Sequence, residues 1–214
     1  QADTATVYTN SLIVMAPEDA GKPGLAGYRY NKHHLVPFGE FIPTGFRWFV
    51  RLMRIPLGDF TRGEPLQKPF RVKDQWILPN ICYEDIFGEE IADQIRHEYK
   101  TGQPTPTVLL NVSNIAWFGN TIALPQHLQI SQMRSLETGR PMLRATNTGT
   151  TAVIDARGRP VAWLPPYTRG ELATTIQGTR GATPFIRFGN LTILIVALAA
   201  LITARLLATR KRSR

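Results

Sequence analysis

The C-terminal segment limits what this chain can fold into more than any other. From Phe188 to Ala204 there is no charged residue, and residues 191–204 read LTILIVALAALITA. The run of 17 uncharged residues between Arg187 and Arg205 is at the short end for a membrane-spanning helix, which needs about 17–25. Leu206, Leu207 and Ala208 extend it, with Arg205 reaching toward the headgroups along its aliphatic stem. Arg210, Lys211, Arg212 and Arg214 follow at once. By the positive-inside rule that tail is cytoplasmic, and everything before Phe185 lies on the other face. The competing reading is a buried helix of a soluble core. The abrupt basic flank speaks against it.

Composition excludes several classes. With 43% apolar and 19% charged residues, the 214-residue chain is globular and long enough for one sizeable core plus an appendage. The single cysteine, Cys82, rules out an internal disulfide framework and a cysteine-rich zinc site. No phosphate-loop motif is present. The net charge is +9, but five basic residues lie at Arg205 and beyond; without them residues 1–204 carry +4. That leaves no concentrated basic face of the kind nucleic-acid binding requires. The chain starts with Gln1 and has no basic-then-apolar leader, so export is expected to depend on an upstream or processed segment.

Residues 1–184 read as mixed α/β. Strands are expected over Thr6–Met15, Trp76–Cys82 (with Pro79 inside it), Thr107–Val112, Met142–Thr146, Thr151–Ile154 and Pro160–Leu164. Asp155-Ala156-Arg157-Gly158 forms the turn between the last two. Helices are expected over Glu89–Tyr99 and Pro125–Leu136, the second stopping at Gly139. Residues 41–57 mix long apolar side chains with Arg47, Arg51 and Arg54. They suit either a membrane interface or a core helix with a basic outer face.

Cys82 ends a predicted strand. A lone cysteine is ordinarily a small buried hydrophobe. On the exporting side of a membrane, however, a free thiol is a liability unless it has a task. A cation must then hold its thiolate against the adjacent Glu84 and Asp85. Lys32, set among aromatic residues and proline, is the candidate; it could steady a thiolate or an oxyanion. Glu40 and Glu84 could orient it or act as acid or base. His33, His34, His97 and His127 show no metal-ligand spacing.

YNKHHLVPFGEFIP, NICYEDIFGEE, NVSNIAWFG, QHLQISQMRSLETGRPMLRATNTGTTAVID and the terminal apolar run, taken in order, resemble the bacterial apolipoprotein N-acyltransferases of the nitrilase (carbon–nitrogen hydrolase) superfamily. The resemblance implies a nitrilase-like αββα sandwich over residues 1–184 on the periplasmic face, one transmembrane helix over 185–209 and a basic cytoplasmic tail over 210–214. It implies Cys82 as nucleophile, Lys32 as oxyanion stabiliser and Glu40 as a supporting glutamate. Tyr83 and Glu84 are implied as required flanking residues, and Trp117 and Phe118 as a loop near the acyl pocket. The implied reaction passes a phospholipid acyl chain to the cysteine as a thioester, then to the α-amine of a diacylglyceryl-cysteine apolipoprotein. The implied partners are the phospholipid donor, the apolipoprotein acceptor and the inner membrane of a bacterial cell. No metal, organic cofactor or nucleic acid is implied, and a monomer is.

The sequence departs from that pattern at Ile115, Asn120 and Pro125. Glu18 does not match the motif of the family's general-base glutamate, so that residue and the first strands of the sandwich are expected before Gln1. Two alternatives stay open: a nitrilase-type amidase that uses water as acceptor, and a membrane-anchored module without activity.

Overall fold

The computed structural model describes residues 8–16, 27–46, 48 and 60–212. Thr6, Glu18 and most of the basic–apolar stretch 41–57 fall outside these residues, as do Arg214 and the side chains of 210–212.

A six-stranded sheet organises the fold. Its spatial order follows the chain: β3 (Phe70–Val72), β4 (Gln75–Ile81), β5 (Val108–Ser113), β6 (Met142–Thr146), β7 (Thr151–Ile154) and β8 (Pro160–Leu164). The central pairs β4–β5 and β5–β6 are parallel; the outer pairs are antiparallel. Pro79 sits inside β4 because its missing N–H is not needed there. Trp76 points its N–H and carbonyl toward Thr107 at the head of β5, so positions 77, 79 and 81 face the β3 edge, where pairing ends at Phe70–Ile77; the Ile81 N–H on that edge donates to the Glu84 carboxylate at 2.7 Å.

Two helices supply the parallel crossovers. The first, α1 (Gly88–Thr101), buries Ile91, Ala92 and Ile95 at helical spacing and ends on Gly102 at φ 68°. The second, α2 (Ala123–Thr138), ends on Gly139 at φ 61°. Both lie on one sheet face, where Leu78, Leu109, Met142 and Ile154 form a continuous cross-strand row beneath Ile91 and Ile95. The opposite face carries a small antiparallel sheet, β1 (Ser11–Val14) with β2 (Tyr28–Asn31). Val14 and Tyr28 pack there against Phe70, Ile77 and Val108. The described layers therefore run helix, sheet, sheet.

The segment expected as one helix over 185–209 divides in two. A short helix, α3 (Pro184–Phe188), is capped by the Thr183 hydroxyl and buries Ile186 completely in the core shared with Ile91 and Ile95. Gly189, at φ 55°, breaks the chain, and α4 (Leu191–Arg212) follows. Residues Leu191–Thr209 are long and apolar enough to cross a membrane, and none of that stretch is buried against the protein.

Candidate active site

Cys82 stands where β4 gives way to a 3₁₀ turn, Cys82–Ile86. Its φ is +54°, a left-handed conformation that costs a non-glycine residue about 1 kcal/mol or more. The turn projects the thiol into a cleft of about 520 Å³ lined by Lys32, Glu40, Cys82, Asn114, Ala116 and Trp117, among others. Cys82 is 8% exposed and unpaired; its Sγ lies 3.7 Å from the Asn114 carbonyl oxygen.

Lys32 follows β2 and is fully withdrawn from solvent, with its Nζ 2.7 Å from Glu40 Oε2. The Val36 N–H donates to the same Glu40 oxygen at 2.8 Å, and Asn10 Nδ2 donates to the other at 2.7 Å. Both carboxylate oxygens of Glu40 are thus occupied, and the lysine is held at the cleft wall. Burial pushes the Cys82 thiol above its ordinary pKa; the Lys32 charge, the Tyr83 N–H and the Ser113 hydroxyl pull it back, while Glu40 opposes them.

Glu84 lies behind the cleft. Oε1 accepts from the His33 and His34 N–H groups at 2.7 and 3.1 Å, and Oε2 from Tyr30 Oη and the Ile81 N–H at 2.9 and 2.7 Å. It ties the lysine loop to the cysteine turn. Burial raises its pKa and the four hydrogen bonds oppose that. Tyr83 offers its backbone to Cys82, while its ring packs edge-on against His34 and Phe87. Trp117 forms part of the cleft wall, its indole passing over Gly39 where a Cβ would sit 3.2 Å away. Phe118, 45% exposed, flanks Trp117 without lining the cleft. Of the expected site residues, the cleft therefore gathers Cys82, Lys32, Glu40 and Trp117, with Glu84 and Tyr83 one layer behind.

Sequence reading missed a buried polar row directly beneath the cysteine. Asn80, Asn111 and Arg144 are register partners on β4, β5 and β6, one step nearer the site than the apolar row Leu78–Leu109–Met142. Asn111 Nδ2 donates to Asn80 Oδ1 at 2.6 Å, and Arg144 Nη1 donates to Asn111 Oδ1 at 3.1 Å and to Ser131 Oγ at 2.7 Å. The available signal was phase: each polar residue stands where alternation demands an inward side chain. Asn147 accepts the Ile115 N–H at 3.1 Å and donates to Asn114 Oδ1 at 2.7 Å, fixing the loop that carries Trp117. Among the described residues no group of three or more His, Cys, Asp or Glu side chains converges to hold a metal ion.

Comparison with known proteins agrees with this geometry. The chain is 55% identical over 212 residues to an apolipoprotein N-acyltransferase of Ralstonia nicotianae, covering 99% of this chain and 38% of that protein. A namesake from Bordetella bronchiseptica is 49% identical over 94% of the chain and again 38% of the relative. The chain thus spans well under half the length of these curated relatives. Among solved structures, a carbon–nitrogen hydrolase from Helicobacter pylori G27 superposes with a TM-score of 0.52 at 16% identity, over 75% of this chain and 54% of that one. That likeness speaks to the nitrilase-like fold alone. The carbon–nitrogen hydrolase family model matches residues 2–185, nearly all of the chain before the apolar helix, and the chain belongs to that family.

Proposed function

We propose that this chain carries the acyl-transfer centre of an apolipoprotein N-acyltransferase, with Cys82 as nucleophile. The observation that carries the reading is the placing of a thiol on a strained turn, in one cleft with a lysine whose charge is held by Glu40. The names of the relatives favour the same activity.

In this reading the Cys82 thiolate attacks the ester carbonyl of a phospholipid acyl chain. The carbonyl π pair moves to oxygen, and the Lys32 ammonium with the Tyr83 N–H stabilises that oxyanion. Collapse expels the glycerol oxygen, which takes up a proton, and leaves an acyl thioester on Cys82. The α-amine of a diacylglyceryl-cysteine apolipoprotein then attacks the thioester. The C–S bond breaks, an amide forms, and the amine's proton returns the thiol. One difficult transfer becomes two easier ones. Both oxygens of Glu40 and of Glu84 are engaged, which suits orienting roles for them. Proton transfer is assigned to the separate glutamate that the family resemblance expects.

The joint between domain and apolar helix suits a membrane setting, and the basic residues after the apolar run favour the periplasmic face for the domain. The Asn190 N–H donates to Glu89 Oε1 at 3.1 Å, in the first turn of α1, so α4 departs from the same end of the sheet as Cys82. Exposed Phe38, Phe46, Trp117, Phe118 and Ile122 belong to the segments bordering that end, an apolar rim suited to acyl chains.

The test is intact mass of the protein taken from its membrane and given phospholipid. A fatty-acyl increment that hydroxylamine removes, and that Cys82→Ala lacks, is the expected result. Acyl transfer persisting in Cys82→Ala overturns the assignment. Turnover of soluble amides without phospholipid dependence points to a hydrolase instead.

A further inference from the structure

Two adjacent acidic side chains follow the cysteine, and both are withdrawn from solvent: Glu84 is 4% exposed and Asp85 0%. They point to opposite sides. Glu84 holds the lysine loop. Asp85 faces the helices, where Oδ2 accepts from the Ser131 hydroxyl of α2 and lies 3.8 Å from Arg144 Nη1 of β6. Ser131 in turn accepts from that same Nη1 at 2.7 Å. The backbone of the turn is held from the same side: Arg134 Nη1 donates to the Asp85 and Ile86 carbonyl oxygens at 3.1 and 2.8 Å.

A turn that keeps a cysteine at φ +54° persists only where its surroundings over-determine it. Glu84 fixes one side. Asp85, Ser131 and Arg144 fix the other, and each is buried. Arg144 also bears on the thiol electrostatically, since its guanidinium is stabilised by a negative Cys82 as well as by Asp85. Asp85, 3.8 Å from the Arg144 guanidinium, therefore neutralises the cation of the buried row that underlies the cysteine turn. The charged groups facing Asp85 are Arg144 from β6 and Arg134 and Glu137 from α2; those acting on Cys82 are Lys32 and Glu40 from the lysine loop, and Arg144 from β6 feels the thiolate in turn.

We propose that Asp85, acting with Ser131 and Arg144, is a positioning residue for Cys82: the buried carboxylate clamps the cysteine turn and offsets the Arg144 charge beneath the thiol. This rests on the reading of Cys82 as nucleophile. A purely structural role would change stability alone. The clamp instead predicts charge effects of opposite sign from its two ends.

The experiment measures alkylation of Cys82 by iodoacetamide against pH, in which the thiolate displaces iodide, read by mass on the peptide that carries Cys82, on the protein purified from its membrane. Asp85→Asn leaves Arg144 uncompensated, so the alkylation midpoint moves to lower pH. Arg144→Gln leaves Asp85 uncompensated, so it moves to higher pH. Both lower the kcat of acyl transfer by about tenfold or more through misplacement of the thiol, with the KM for phospholipid unchanged. Unshifted midpoints with unchanged kcat in folded variants overturn the proposal, as do shifts in the same direction. Where either variant does not fold, Ser131→Ala removes one hydroxyl from the clamp, and the same two outcomes on kcat decide. Acyl transfer surviving in Cys82→Ala brings down the nucleophile assignment instead, and the alkylation midpoints still judge the clamp because they read the thiol directly.

Discussion

The Glu84 carboxylate receives the His33 N–H at 2.7 Å across 51 positions of sequence, and this bond sets how the lysine loop meets the cysteine turn. Replacing Glu84 by Ala strands the N–H groups of Ile81, His33 and His34 and the Tyr30 hydroxyl in a buried site. A loss of about 3 kcal/mol or more is expected, read as a lower urea midpoint. Glu84→Gln keeps one acceptor oxygen and falls between the two.

Lys32→Met removes the charge that favours the Cys82 thiolate and leaves Glu40 acting on it unopposed. Alkylation of Cys82 then requires higher pH, and thioester formation falls by about 100-fold. Burst-phase mass spectrometry with phospholipid measures the second effect. A variant that loads at the wild-type rate removes Lys32 from the mechanism.

Cys82 offers a direct measure of backbone strain. Glycine adopts φ +54° without penalty, whereas alanine does not, so Cys82→Gly should be more stable than Cys82→Ala by about 1 kcal/mol. Both lack the proposed nucleophile. Differential scanning calorimetry on the pair gives the number, and equal stability would show a relaxed turn.

His127 and Asp85 bias stability in opposite directions with pH. Burial lowers the His127 pKa from 6.5 to about 4, so its contribution is full above 6.5 and is lost as pH falls toward 4. Burial raises the Asp85 pKa from 3.8 to about 6, so its contribution is full below 3.8 and is lost as pH rises through 6. Between pH 4 and 6 the two nearly cancel. His127→Phe should leave stability falling with pH there, and Asp85→Asn should leave it rising, each by about 1 kcal/mol per pH unit. Urea midpoints at four pH values separate the slopes.

Ile186 has no solvent exposure and joins α3 to the main core. Ile186→Ala should cost about 2–4 kcal/mol through the cavity it leaves, read by chemical unfolding. An effect below about 0.5 kcal/mol, the size of an ordinary surface change, would mean that α3 is only loosely seated.

Much of the fold was legible because its elements have clear punctuation. Strands β6, β7 and β8 form over the residues their β-branched and apolar runs delimit, and Gly139 ends α2 as expected. The expected strand over Trp76–Cys82 is shifted by one residue, since Cys82 itself leaves the ladder to make the turn. The break at Gly189 was hidden: hydropathy does not distinguish Ile186, buried in protein, from Ile193, 61% exposed on α4. The lysine and cysteine motifs stood out as candidates, and the structure brings Lys32, Glu40 and Cys82 to one cleft. The Asn80–Asn111–Arg144 row was not, because three single polar residues in separate strands acquire meaning only when register aligns them.

That break has a mechanical consequence in the proposed membrane setting. Thr183 caps α3, Arg96 Nε donates to the Ile186 carbonyl oxygen at 2.6 Å, and Glu89 receives the Asn190 N–H. Asn190, the residue just before the span, is therefore bolted to the scaffold that carries Cys82. Lengthening α4 would deepen the anchor while leaving the cleft at the same altitude above the lipid. Residues inserted between Gly189 and Leu191 would lift the cleft away from the headgroups. The working height of the proposed catalyst is thus a property of a fixed joint a few residues long, not of the helix that follows it.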